Sequence, residues 1–213
     1  MDLQALAAEY GFAACYVFTT EPFSHYEQRI QNGALHHAGT DLSVDVKKDA
    51  PWANAILALI YPYRPFSDDI PVSGNYPASH ASYLAAKEFT RAMLDHGIEA
   101  MRCEVPIREL LTRSGAGVML KNGLTLLEGL GTRYCVQPIL AALPNPVYTE
   151  MKTPESSRCA SCHACENICP SGAISESGYD FKACARAYMG GDPMEDWVMD
   201  DMTCILGCEL CQK

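Results

Sequence analysis

The chain has 213 residues, 48% of them hydrophobic and 20% charged, a composition that excludes disordered and collagen-like proteins and allows one large or two small globular domains. Sixteen Lys and Arg against 26 Asp and Glu leave a net charge of −10, so no broad basic field is available for a nucleic-acid backbone. Eleven cysteines are the anomaly. In chain order, the first residues carry no basic n-region ahead of an apolar core, so no secretory signal is expected. Leu3, Leu6, Ala7 and Tyr10 share a helical face, and Gly11 is a natural stop. Residues 12–19 and the apolar run 55–60 read as strands, the second ended by Tyr61-Pro62. The longest apolar stretch, 53–63, is far shorter than the roughly 20 residues of a membrane span, and a soluble cytoplasmic protein is expected. Residues 82–96 predict an amphipathic helix with Leu84, Ala85, Phe89 and Met93 inward, Lys87, Glu88, Arg91 and Asp95 outward, and Gly97 as its end. A strand over 98–103 follows, then a helix over 107–112 opened by Pro106. Segments 118–120 and 124–127 flank the turn Lys121-Asn122-Gly123, and 134–140 reads as a last strand. Strands and helices mix without strict alternation, which predicts an α+β fold.

The cysteines are unevenly placed. Cys15, Cys103 and Cys135 stand alone, and the other eight lie between Cys159 and Cys211. Leu143-Pro144-Asn145-Pro146 and Pro154-Glu155-Ser156-Ser157 read as a connector, which predicts an N-terminal mixed α/β domain over 1–150 and a small cysteine-rich domain over 151–213. Each half carries a net charge of −5, so charge does not separate them. Disulfides are disfavoured in the cytoplasm, and clustered cysteines there point to metal. Cys159, Cys162, Cys165 and Cys169, the last followed by Pro170, are spaced C-x2-C-x2-C-x3-C-P, the run of bacterial ferredoxins. Two-residue gaps wrap the backbone round one cubane so that three thiolates reach three irons, while the fourth cysteine turns to a second cluster. Structural zinc is the alternative, but its cysteines usually come as two C-x2-C pairs parted by a longer loop. Cys184, Cys204, Cys208 and Cys211 bring the total to eight thiolates, the complement of two [4Fe–4S] clusters in a ferredoxin-like domain. One cluster takes Cys159, Cys162 and Cys165 and the other Cys169, with the remaining four shared three to one.

The ordered series over roughly residues 50–212 resembles the epoxyqueuosine reductase family, cobalamin-dependent iron–sulfur enzymes related to reductive dehalogenases. Ala58-Leu59-Ile60-Tyr61-Pro62-Tyr63 is similar to the family's early strand, and Asn75-Tyr76-Pro77 to its "Y-A-x-G-x-D-Y-H" region. Pro106-Ile107-Arg108-Glu109-Leu110-Leu111 is similar to "P-V-L-E-R", and Gly115-Ala116-Gly117-Val118-Met119-Leu120-Lys121-Asn122 to "G-L-G-W-x-G-K-N". Phe181-Lys182-Ala183-Cys184 stands for "D-A-R-R-C", and Gly207-Cys208-Glu209-Leu210-Cys211-Gln212 for "G-C-D-D-C-Q". The resemblance implies that Cys184, Cys208 and Cys211 join Cys169. It leaves Cys204, which has no family counterpart, as the fourth ligand of the first cluster, with a crossing Cys211 as the rival. It also implies that Gly115, Gly117, Lys121 and Asn122 approach a corrinoid, against the plainer reading of Lys121-Asn122-Gly123 as a surface turn.

The sequence departs from that family at several points. The family's proton-donating Asp falls on Cys103, with Glu104 beside it as a substitute acid, and core packing is the competing role for Cys103. The "D-Y-H" motif reads Ala81-Ser82-Tyr83, with His80 before it. The family's last "C-P" cysteine and its tRNA-facing helical repeats have no counterpart here, so nucleic acid is not an expected partner. His36-His37 reads as a solvated pair, His163 as a hydrogen-bonding neighbour of the first cluster, and Cys15 and Cys135 as buried apolar groups. Two functions follow. One is a reductase that passes single electrons from a ferredoxin or flavodoxin-type donor through two clusters to a corrinoid. The other is an electron-transfer module that docks to a partner enzyme and has no substrate chemistry of its own.

Overall fold

The computed structural model describes residues 1–31, 42–65, 72–149, 157–189, 193–201 and 206–212. Cys204, His36, His37 and Pro154 to Ser156 lie outside the described residues. Helix α1 (Leu3–Glu9) is capped by the Asp2 carboxylate, which accepts from the amides of Gln4 and Ala5. Gly11, at φ +83°, turns the chain into β1 (Ala14–Phe18). Then come α2 (Ser24–Gln31), α3 (Val46–Asp49), β2 (Ala55–Pro62), α4 (Asn75–Asp95) and β3 (Ala100–Arg102). Helix α5 (Ile107–Arg113), the antiparallel hairpin β4 (Gly117–Met119) and β5 (Thr125–Leu127), and β6 (Tyr134–Ala141) follow.

The sheet runs β1-β2-β6-β3, antiparallel at every pairing, with Ala14 opposite Ile60, Ala55 opposite Ala141 and Arg102 opposite Ile139. The apolar run of β2 is continuous because both faces of the sheet are covered. Leu57 and Leu59, with Ile139, pack on Leu6, Phe89 and Met93 of α1 and α4. Ile56, Ala58 and Ile60, with Leu140, pack on Phe23, Val46, Leu110 and Leu127. Alternate residues of one strand thus enter two cores, and the first lobe is three layers deep.

Helix α4 begins seven residues before the predicted start, and its buried face is Ala78, Ser82, Ala86, Phe89 and Met93. Leu84, expected inward, is 47% exposed. With Phe89 and Met93 inward at a four-residue spacing, the same face takes positions 78, 82 and 86 and turns Leu84 to solvent. Polar Ser82 is tolerated because its hydroxyl accepts from Gln137 Nε2 at 2.9 Å. Phe89 meets the Tyr10 and Phe12 rings edge-on, with centroids 6.3 and 6.4 Å away. Phe89→Ala is expected to destabilise the lobe by about 3–5 kcal/mol; an unchanged urea midpoint would refute the packing assignment.

The cysteine-rich segment has only short elements: α6 (Ser157–Ser161), α7 (Ala164–Ile168), the hairpin β7 (Ile174–Ser175) and β8 (Gly178–Tyr179), a 3-10 turn (Phe181–Ala183), α8 (Ala185–Tyr188), α9 (Asp196–Asp201) and a final 3-10 turn (Leu210–Gln212). Its described buried apolar residues are Ala173, Ile174, Ala185 and Val198, too few for an independent core. The last turn instead lies against the first lobe. The Ser73 amide donates to the Leu206 carbonyl at 2.8 Å, the Tyr63 hydroxyl to Gln212 Oε1 at 3.3 Å, and Gln212 Nε2 to the Thr132 carbonyl at 3.3 Å. Among the described residues no helix is long and apolar enough to cross a membrane.

Candidate metal centre

Cys159 lies in α6, Cys165 in α7, and Cys162 is exposed in the turn between them. Cys169 ends α7 in extended backbone ahead of Pro170, and Gly172, at φ +65°, brings its amide to the Cys169 carbonyl at 3.3 Å. Cys184 is the extended residue before α8, and Cys208 and Cys211 enter with the last turn. Burial pushes the Cys165 thiol up, and the neighbouring Cys159 and Cys162 add to the effect. Cys211 is pushed up to about 11, first by burial and then by Cys208, Cys184, Cys165 and Cys169. Burial, and then a hydrogen bond to Cys184, pushes the Tyr179 phenol up. Helix α7, which carries Cys165 and ends at Cys169, packs against the last turn, which carries Cys211. Thiols that oppose one another's ionisation suit an inorganic centre whose positive charge replaces their protons. This donor chemistry fits iron–sulfur clusters. Among the described residues no three His, Cys, Asp or Glu side chains close on a single-ion site.

The turn Lys121-Asn122-Gly123 holds this segment. Lys121 Nζ donates to Glu166 Oε1 at 2.8 Å and to the Cys162 carbonyl at 3.3 Å. His163 Nδ1 lies 2.9 Å from Glu166 Oε2, and hydrogen bonds first from His163 and then from Lys121 hold the Glu166 carboxyl below its ordinary range. Asn122, 8% exposed, donates from Nδ2 to the Cys211 carbonyl at 3.0 Å. Gly123 has φ +72°, and a Cβ there would stand 2.7 Å from the Tyr179 ring. The surface-turn reading is thus corrected: long-range docking buries the turn against both cysteine sets. Gly123→Ala is expected to displace Tyr179, which lies beside Cys184, and to alter the visible absorption of the reconstituted protein; a spectrum identical to the parent's would count against this contact.

Of the residues proposed to approach a corrinoid, Gly115 and Gly117 lie at the start of the β4–β5 hairpin and Lys121 and Asn122 in its turn. A Cβ on Gly117 would stand 2.4 Å from Thr125 Cγ2, across its own hairpin, and Gly115, at φ +74°, follows α5 in its turn. Lys121 and Asn122 point to the iron–sulfur segment. Cys103 follows β3, its amide donating to the Pro138 carbonyl at 3.2 Å. It packs against the core beneath α5, and burial pushes its thiol up to about 12, so it is a poor acid near neutral pH. Glu104 is exposed, 3.7 Å from Arg102. Both line a cavity of about 430 Å³ with Ser43, Asp49, Arg102 and Leu140. Burial pushes the Cys15 and Cys135 thiols up to about 12 and 11.

Glu209 was not singled out by the sequence. It is 8% exposed; its Oε1 accepts from the Ser73 hydroxyl at 2.6 Å and the Asn75 amide at 3.2 Å, and its Oε2 lies 3.9 Å from Arg133 Nε. An acid between two candidate ligand cysteines was the available signal. Tyr179 was also missed, since nothing local marks it as a neighbour of Cys184.

Residues 153–175 match the family described as a 4Fe-4S binding domain. No curated protein sequence matches the chain significantly. The fold is similar to the epoxyqueuosine reductase of Streptococcus thermophilus (TM-score 0.72, 17% identity, 99% of this chain and 64% of that one). It is similar to that of Bacillus subtilis as well (TM-score 0.73, 18% identity, 99% and 63%). The chain has the epoxyqueuosine reductase fold. A catabolic reductive dehalogenase matches over less of its length (TM-score 0.57, 17% identity, 81% of this chain and 25% of that one). The family resemblance carried by the ordered motifs and the structural likeness agree on a mixed α/β lobe followed by a ferredoxin-like segment. This chain spans 64% and 63% of the two epoxyqueuosine reductases.

Proposed function

We propose that this protein is an iron–sulfur electron relay with two [4Fe–4S] clusters, a lobe over residues 1–150 serving as the platform on which the segment 151–213 is mounted. Cys159, Cys162 and Cys165, with Cys204, hold one cluster; Cys169, Cys184, Cys208 and Cys211 hold the other. The observation that carries this reading is the Cys159 to Cys169 run, matched as a 4Fe-4S binding domain, with α7 packed against the last turn that brings in Cys211. When bound, the clusters supply one-electron chemistry. The chain holds them adjacent, and Asn122 and Glu209 fasten the second ligand set to the lobe. Cys162 is exposed, which makes its side the entry for a ferredoxin or flavodoxin-type donor. The electrons leave toward a partner enzyme docked on the lobe.

A second reading, a corrinoid-dependent reductase, is favoured by the fold, which it shares with epoxyqueuosine reductases and, less fully, with a reductive dehalogenase described as B12-dependent (TM-score 0.54). On this reading the corrinoid lies by the loop of Gly115, Gly117, Lys121 and Asn122, and the acid is Cys103 or the exposed Glu104 beside it. Anaerobic purification followed by iron and sulfide analysis tests the shared claim: about eight of each per chain are expected, and stoichiometric zinc would overturn it. Titration with hydroxocobalamin separates the readings. A saturable spectral shift supports the reductase; an unchanged spectrum supports the relay without its own substrate.

A further inference from the structure

We infer that Lys121 is a positioning residue that sets the reduction potential of the cluster held by Cys159, Cys162 and Cys165, acting as a fixed cation supplied by the first lobe. The inference rests on the two-cluster reading. Lys121 follows β4 in the turn of the β4–β5 hairpin, which belongs to the lobe, yet its ammonium reaches 45 residues along the chain to Glu166 and also meets the Cys162 carbonyl. Its side chain is 14% exposed, and its two hydrogen bonds hold the ammonium in place. Each electron added to a cluster is one more negative charge, and a nearby fixed cation favours that state. Glu166 opposes it, and His163 holds Glu166 from the other side at 2.9 Å. Glu166 therefore stays in place, without its principal counter-charge, when Lys121 is neutralised.

The charges predict effects of opposite sign, which packing alone does not produce. The test is an anaerobic redox titration of the full chain by electron paramagnetic resonance, with iron counted in every sample. Lys121→Met is expected to disfavour reduction of the first cluster about tenfold, which is 59 mV lower for a one-electron couple. Lys121→Arg is expected to stay close to the parent, and Glu166→Gln to shift the same signal upward. Parent potential in Lys121→Met with full iron overturns the inference. If Lys121→Met loses iron, Glu166→Gln decides: an upward shift supports the inference, and an unchanged or lower potential overturns it. Low iron in the parent itself strikes instead at the two-cluster reading.

Discussion

Cys211→Ala is expected to leave about four irons per chain in place of about eight. Cys211 sits in the final 3-10 turn, which packs against α7, and its carbonyl accepts from Asn122 Nδ2 at 3.0 Å. On the proposed partition, removing it opens one corner of the second set and leaves Cys159, Cys162 and Cys165 untouched. The residual paramagnetic signal should match that of Cys169→Ala, which strikes the same set from the other end of α7. If the two variants keep different signals, Cys211 crosses to the first cluster and the alternative partition holds. Full iron in Cys211→Ala would remove it from the ligands altogether.

Glu209→Ala is expected to release the last turn from the lobe. The buried carboxylate accepts from the Ser73 hydroxyl and the Asn75 amide and lies beside Arg133. Its removal strands a buried hydroxyl and an amide at the start of α4. Losing hydrogen bonds to a charged acceptor costs about 3 kcal/mol, or roughly 6–12 °C in melting temperature for a chain of this size. Glu209→Gln keeps an oxygen acceptor and loses the charge, so a smaller drop is expected. Melting of Glu209→Ala at the parent temperature, with the tail equally resistant to limited proteolysis, would show that the carboxylate does not anchor it. Because Cys208 and Cys211 flank Glu209, release of the turn would also loosen the second cluster of the proposed relay. Iron lost in parallel with the melting shift is the expected companion result.

Much of the architecture was legible because it depends on local chemistry. Pro106 at the head of α5, Gly11 after α1, the buried run of β2 and the Lys121-Asn122-Gly123 turn all appear where expected. The start of α4 was not legible. Asn75, Pro77 and Ser79 look like loop residues, and they are helical because Ala78 and Ser82 continue the face that Phe89 and Met93 bury. Leu84 shows the same effect in reverse: an apolar residue at the wrong angle stays in water. What lies over Gly117 and Gly123 was not legible either, since it is set by Thr125 across the hairpin and by Tyr179, which is remote in sequence.

The sequence by itself determined the cofactor chemistry. The intervals from Cys159 to Cys169 are a property of a few consecutive residues, and thiolate spacing carries its meaning before any folding. Only the tertiary structure decided what surrounds those thiolates. Lys121 to Glu166, Asn122 to Cys211 and Ser73 to Glu209 join residues 45, 89 and 136 positions apart. Such pairs leave no periodic or spacing signal along the chain, because each is chosen by the packing that brings the final turn onto the lobe.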